Sequence, residues 1–170
     1  SDGSLIGYAL NFASLFALPP NPSPLDLGQQ LQTDQSAMPD YVDHLKWGPA
    51  SKANQLLYRG IVSFGDQSIY LTQEYSAGAG DPLVSAEVWE DFRGIAWLPD
   101  GSGFIYSLEE DDDTFTSVKA NIFEYNLASG QSKPLTNFSN QFAGDVSVSP
   151  DGTQIVFDLS AEDGLAAPAD

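Results

Sequence analysis

The stretch WLPDGSGFIYS, residues 97–107, sets a turn between two apolar runs. Pro presets the backbone angle of the first central turn position. Asp tolerates the next position and can bond its own backbone, and Gly takes the positive φ that ends the turn. Flanked by Ile95-Ala96-Trp97 and Phe104-Ile105-Tyr106, the phrase marks a tight antiparallel hairpin. Nearly the same phrase returns as VSPDGTQIVFD at 148–158.

The recurrence extends along the chain. Pro49, Pro99 and Pro150 stand 50 and 51 residues apart, each followed by a β-rich triplet: Leu56-Leu57-Tyr58, Phe104-Ile105-Tyr106 and Ile155-Val156-Phe157. Two residues before each Pro lies Trp47, Trp97 or Val148. The chain opens on a matching phrase, Asp2-Gly3-Ser4-Leu5-Ile6-Gly7-Tyr8. The second half of each unit agrees. Ile122–Leu127, the turn Ala128-Ser129-Gly130-Gln131 and Ser132–Thr136 have counterparts in Ile69-Tyr70-Leu71 and Pro82-Leu83-Val84. Pro82 and Pro134 suit an outer edge strand, where a missing N–H costs little. A period near fifty built from short strands is the signature of propeller blades. The expected fold is all-β: β-propeller blades of four antiparallel strands, the first innermost and the fourth outermost. Gly and Pro interrupt the windows in which a helical period could run.

WLPDGSGFIYS, SVSPDGTQIVFD and YNLASGQSKPLT resemble the WD40-like (PD40) repeat of TolB-type β-propellers. The match is close over residues 94–158 and looser over 45–84, where Trp47-Gly48-Pro49-Ala50-Ser51-Lys52 lacks the Asp-Gly and is about two residues longer. The resemblance implies a partial blade at 1–36, blades at 43–86 and 93–137, a partial blade at 144–160 and a tail at 161–170. At about fifty residues per blade this is about three blades, and closed propellers have about four or more. The expectation is a segment of a longer protein, or a chain that completes a ring by assembling as a homo-oligomer. Such propellers serve as scaffolds, sensors and enzyme-gating domains.

Composition narrows the partners. Six Lys+Arg stand against 24 Asp+Glu, giving a formal charge of -18. Such a chain repels phosphate backbones and anionic lipid, so nucleic acid and membrane surfaces are disfavoured and a basic protein or peptide is favoured. With no cysteine, disulfides and thiolate chemistry are excluded; this is compatible with an oxidising setting such as the periplasm or the extracellular space. Leu5–Leu18 is too short to span a bilayer and no Lys or Arg precedes Lys46, so it is expected to form two strands and a turn.

Loop asymmetry locates the candidate site. Turns between the first and second strands, and between the third and fourth, lie on one rim and are tight. The opposite rim takes the longer segments 33–43, 85–93, 109–120 and 137–145, where binding residues usually sit. The binding candidates there are Tyr41, His44, Trp89, Phe92, Phe138 and Phe142 with Glu109 and Glu110. Aromatics in an acidic surround suit a protein or peptide with basic residues. Glu109–Asp113 lacks EF-hand or RTX spacing, so a solvated acidic loop is preferred to a calcium site. His44 is the sole histidine and no G-x-S-x-G elbow occurs, so no catalytic residue, metal or cofactor is expected. Gly78-Ala79-Gly80-Asp81 has no Lys and no following helix, unlike a phosphate loop. Asn137-Phe138-Ser139 fits a glycosylation acceptor, and Pro19–Pro24 an extended spacer. The leading expectation is a non-catalytic binding or scaffold module. The alternatives are a propeller segment of a larger enzyme, whether prolyl-oligopeptidase-like or sugar-active, or the ligand sensor of a signalling protein.

Overall fold

The computed structural model describes residues 6–10, 14–18, 29–30, 41–53, 55–62, 65–71, 81–87, 90–111 and 118–161. Three antiparallel meanders follow one another. The first is β1 (Ile6–Leu10), β2 (Ser14–Leu18) and β3 (Gln29–Gln30). The second is β4 (Tyr41–Trp47), β5 (Leu56–Ile61), β6 (Gln67–Leu71) and β7 (Val84–Ser85). The third is β8 (Glu90–Trp97), β9 (Gly103–Asp111), β10 (Val118–Asn126) and β11 (Gln131–Pro134). A final hairpin, β12 (Gln141–Val148) with β13 (Ile155–Ala161), joins the third meander through one parallel pair, Ala120 with Phe142. These are β-propeller blades. The second and third meanders each hold the expected four strands, and β12 with β13 opens the next unit.

Burial on both faces of β9 explains why Phe104-Ile105-Tyr106 are apolar without alternation. Phe104, Tyr106 and Leu108 join Phe92, Ile95 and Trp97 in a core shared with Leu57 and Ile69 of the preceding blade. Ile105, on the other face, packs with Ile122 against Ala143 and Val146 of the final hairpin. Each sheet therefore covers its neighbour. Truncating fully buried Phe104 costs roughly 3–5 kcal/mol on the usual scale for core phenylalanines. Trp97 also reaches back, its Nε1 donating to Lys46 O of the preceding blade at 3.0 Å. The inner strands converge: a Cβ on Gly94 of β8 would lie 2.8 Å from Asp145 Cα of β12, so only glycine allows the approach.

The quoted turns close as their chemistry requires. Gly101 and Gly152 take φ of 74° and 72°. Asp100 Oδ1 accepts from the N–H and hydroxyl of Ser102, and Asp151 Oδ1 from those of Thr153. The segment after Pro49, which lacks Asp-Gly, forms a short 3-10 turn at Ala50–Lys52 instead. Its Ser51 hydroxyl donates to Asp100 O at 2.9 Å, holding neighbouring turns together at one end.

At the other end the expected long segments need correction, because the strands reach further. β8 begins at Glu90, β9 runs to Asp111, β10 begins at Val118 and β12 begins at Gln141. The physical reason is continued burial: Phe92 pairs with Leu108, and both lie in the core. Pro134 ends the outermost strand of its blade, as expected of a residue that cannot donate. Trp89, Gly78-Ala79-Gly80, Asp112-Asp113, Pro19–Pro24 and the opening phrase to Leu5 lie outside the described residues. Among the described residues no helix is long and apolar enough to cross a membrane.

Candidate functional site at the inner-strand entry rim

The inner strands β4, β8 and β12 all start from the rim opposite the tight turns. Each departs from regular pairing shortly after its start: between Asp43 and Lys46, between Phe92 and Gly94, and between Ala143 and Val146. Such bulges bend a strand and re-aim its side chains. His44 sits at the first, with φ of 51°, a left-handed conformation uncommon outside glycine. Its Nε2 lies 3.9 Å from Asp43 Oδ1. Burial nevertheless outweighs the pull of Asp43 and holds the imidazole below its ordinary value, favouring the neutral ring.

Arg59 organises the rim. Its Nε and Nη2 donate to Asp43 Oδ1 and Oδ2 at 2.6 and 2.5 Å, a bidentate pair. Its Nη1 donates across to the next blade, to Asp91 Oδ1 at 2.8 Å and to Phe92 O at 2.6 Å. The side chain keeps 12% of its surface accessible. Partial burial works against its charge, but Asp43 and Asp91 more than offset this and raise its pKa further. Asp91 Oδ2 also lies 3.4 Å from Arg93 Nε, which donates to Glu109 Oε2 at 2.5 Å. Asp43, Arg59, Asp91, Arg93 and Glu109 thus form one alternating chain of charges over two blades. Glu110 forms a separate pair with Lys119 at 2.8 Å.

Register relates Arg59 to Ser107. Arg59 follows Tyr58 on its second strand, and Ser107 follows Tyr106. Each donates forward to a main-chain carbonyl beside the next inner-strand bulge: Arg59 to Phe92 O, Ser107 Oγ to Ala143 O. The residue after Phe157 is Asp158, whose carboxylate at neutral pH can only accept.

A cavity of about 390 Å³ opens on this rim, lined by Arg93, Glu109, Phe142, Gly144, Asp158 and Ser160. A second of about 610 Å³ lies at the tight-turn end. The acids lining that second cavity are already engaged: Asp100 and Asp151 by their own turns, Glu124 by Lys133 at 3.0 Å. Among the described residues no three His, Asp or Glu side chains come together in a group able to hold a metal ion.

The sequence-derived candidates are distributed as follows. Phe142 lines the rim cavity with Glu109, which is ion-paired to Arg93. Tyr41 is half-buried at the start of β4. Phe138 leans on Phe157 with ring centroids 6.2 Å apart, while Asn121 holds its backbone on both sides. Phe92 has 0% exposure and meets Tyr106 edge-on at 5.6 Å, so its side chain lies in the core, not at the surface of the rim. Sequence reasoning missed Arg59, Asp91, Arg93, Asp158 and Ser160. The available signal was Arg59, a charge inside the apolar run Leu56–Ile61 of a chain with six basic residues.

No family model matches the chain, and no curated protein matches its sequence. Solved structures do resemble it. TolB from Acinetobacter baumannii matches with a TM-score of 0.60 and 16% identity, over 89% of this chain and 32% of that one. A protein described as TolB from Agrobacterium tumefaciens gives 0.65 and 19%, over 92% and 50%. A protein described as a dipeptidyl aminopeptidase IV from Bacteroides ovatus gives 0.52 and 11%, over 94% and 25%. The chain spans between a quarter and a half of the length of these structures. At such identities the likeness shows the fold, a TolB-like propeller module, and nothing of activity.

Proposed function

We propose that this chain is a non-catalytic binding module that holds a protein or peptide with basic residues against the inner-strand entry rim. The observation that carries the reading is the contrast between the two ends. At the tight-turn end the acids lining the cavity are engaged by turns and a salt bridge. At the entry rim Glu109 is likewise paired, with Arg93, but the cavity has an aromatic wall in Phe142, and the lining of the tight-turn cavity has no aromatic residue. A formal charge of -18 adds long-range attraction for a cation-bearing partner. The test is fluorescence anisotropy of a labelled lysine- and arginine-rich peptide with wild type, Tyr41→Ala, Phe142→Ala and Glu110→Lys. The reading expects weaker binding for the three rim variants and a steep fall with added salt. Equal affinity across the series opposes it.

A second reading, a propeller segment of a larger enzyme, draws on the likeness to the protein described as a dipeptidyl aminopeptidase IV. Peptidase activity in the full-length protein, lost when these blades are removed, favours that reading.

A further inference from the structure

Resting on the basic partner proposed above, we infer that Arg93 is a built-in competitor for that partner: its guanidinium occupies the Glu109 carboxylate, and a guanidinium of the partner takes its place there. The rim network holds two arginines in different situations. Arg59 is fixed. It keeps 12% of its side chain accessible and commits Nε, Nη1 and Nη2 to Asp43, Asp91 and Phe92 O. Arg93 is loosely held. It keeps 49% accessible, and its Nε and Nη2 both turn to one oxygen, Glu109 Oε2, with Asp91 Oδ2 at 3.4 Å from Nε. Arg93 and its two carboxylates stand on β8 and β9, in the blade whose two faces are both covered by described sheets.

An exposed ion pair contributes little, because solvent screens it and two long side chains must be held still. Arg93 can therefore leave Glu109 for solvent at small cost, whereas Arg59 cannot leave Asp43 without stranding buried charge. Arg93 follows Phe92, whose carbonyl Arg59 holds, so the backbone beside the swinging side chain is anchored. The group that Glu109 accepts is visible in the one it holds, the Nε–Nη2 edge of a guanidinium. A partner's guanidinium restores those bonds, and Phe142, beside Arg93 and Glu109, offers a ring on which it can stack. A compact ammonium matches neither feature as well. The partner gains only the difference between its own contacts and those Arg93 gives up. Arg93 thereby disfavours weakly basic sequences, which sharpens specificity at the expense of affinity.

The test is fluorescence anisotropy of the labelled lysine- and arginine-rich peptide, and of a lysine-only counterpart, with wild type, Arg93→Gln, Glu109→Gln, the double variant of these two, and Lys133→Gln. Lys133 lies on the outermost strand of its blade, so Lys133→Gln makes the same change of net charge away from the rim. Arg93→Gln is expected to bind the arginine-containing peptide about two- to fivefold more tightly than wild type. Lys133→Gln should not, the gain should vanish in the Glu109→Gln background, and it should be smaller for the lysine-only peptide. Arg93→Lys, which keeps the charge without the fork, should give a smaller gain, and thermal midpoints confirm that each variant is folded. Equal gains in Arg93→Gln and Lys133→Gln would assign the effect to net charge and overturn the inference. So would a gain that survives without Glu109 or is the same for both peptides. If Arg93→Gln binds no better than wild type while Glu110→Lys still weakens binding, the competitor assignment falls and the rim reading stands. If neither wild type nor Arg93→Gln binds either peptide, both fall.

Discussion

The guanidinium of Arg59 donates from Nη1 to the main-chain carbonyl of Phe92, 2.6 Å away in the next blade, while its other nitrogens grip Asp43. One side chain therefore ties β5 to β4 within its sheet and to β8 across the gap. With 12% of its surface accessible, it is too buried to be treated as a surface ion pair. Arg59→Met is expected to cost about 3 kcal/mol, because Asp43 then loses its counter-charge, Asp91 keeps only Arg93, and Phe92 O loses a donor. Arg59→Lys recovers only part, since an ammonium cannot reproduce the fork. Urea unfolding with a constant m-value checks both.

The neighbouring clamp is weaker because it is neutral. Ser107 is fully buried and its hydroxyl donates to Ala143 O. Ser107→Ala is expected to cost about 1–2 kcal/mol, the usual range for stranding a buried acceptor. Ser107→Val tests the alternative that volume alone matters: it fills the space and still loses the bond, so it should fare no better than alanine.

His44 takes φ of 51° at the bulge of β4. A β-branched residue tolerates that conformation poorly, so His44→Val is expected to destabilise by about 1–2 kcal/mol. His44→Gly, which removes the steric penalty, should not destabilise. Thermal midpoints of the two variants against wild type decide the matter.

The turn carboxylates set an acid limit. Asp151 is held down to about 2 by the hydroxyl of Ser149 and by the N–H and hydroxyl of Thr153. Asp100 is likewise lowered, first by the N–H of Ser102. A depressed folded pKa means that the unfolded chain binds the proton more readily. The contribution is therefore complete above the ordinary value of 3.8 and is lost as pH falls through about 2. An NMR titration should find Asp151 near 2, and Ser149→Ala should move it upward.

The parts of the fold visible in sequence are those where a residue type has one job. Pro-Asp-Gly at 99–101 and 150–152 demands a tight turn, and the spacing of the prolines gives the repeat. The site was harder to foresee because bulges break the two-residue alternation on which facing is judged. Phe92 illustrates the difficulty: assigned to a loop, it proves to be a strand residue whose side chain turns into the core. Arg59 and Asp91 lie far apart in sequence, and nothing local pairs a residue of one blade with a carboxylate of the next. Glu109 and Phe142 were identified by composition of the rim alone, whereas Asp158 emerges only when its register is set beside Arg59 and Ser107.

The most direct test of the central claim is to locate a bound basic peptide on the molecule. A lysine- and arginine-rich peptide carrying a photoreactive benzoylphenylalanine is cross-linked to the intact chain, and the adducts are mapped by mass spectrometry. The account predicts adducts around Tyr41, Glu110 and Phe142, at the rim where the inner strands begin. Adducts confined to Ser51, Asp100–Ser102 and Asp151–Thr153, at the tight-turn end, would contradict it.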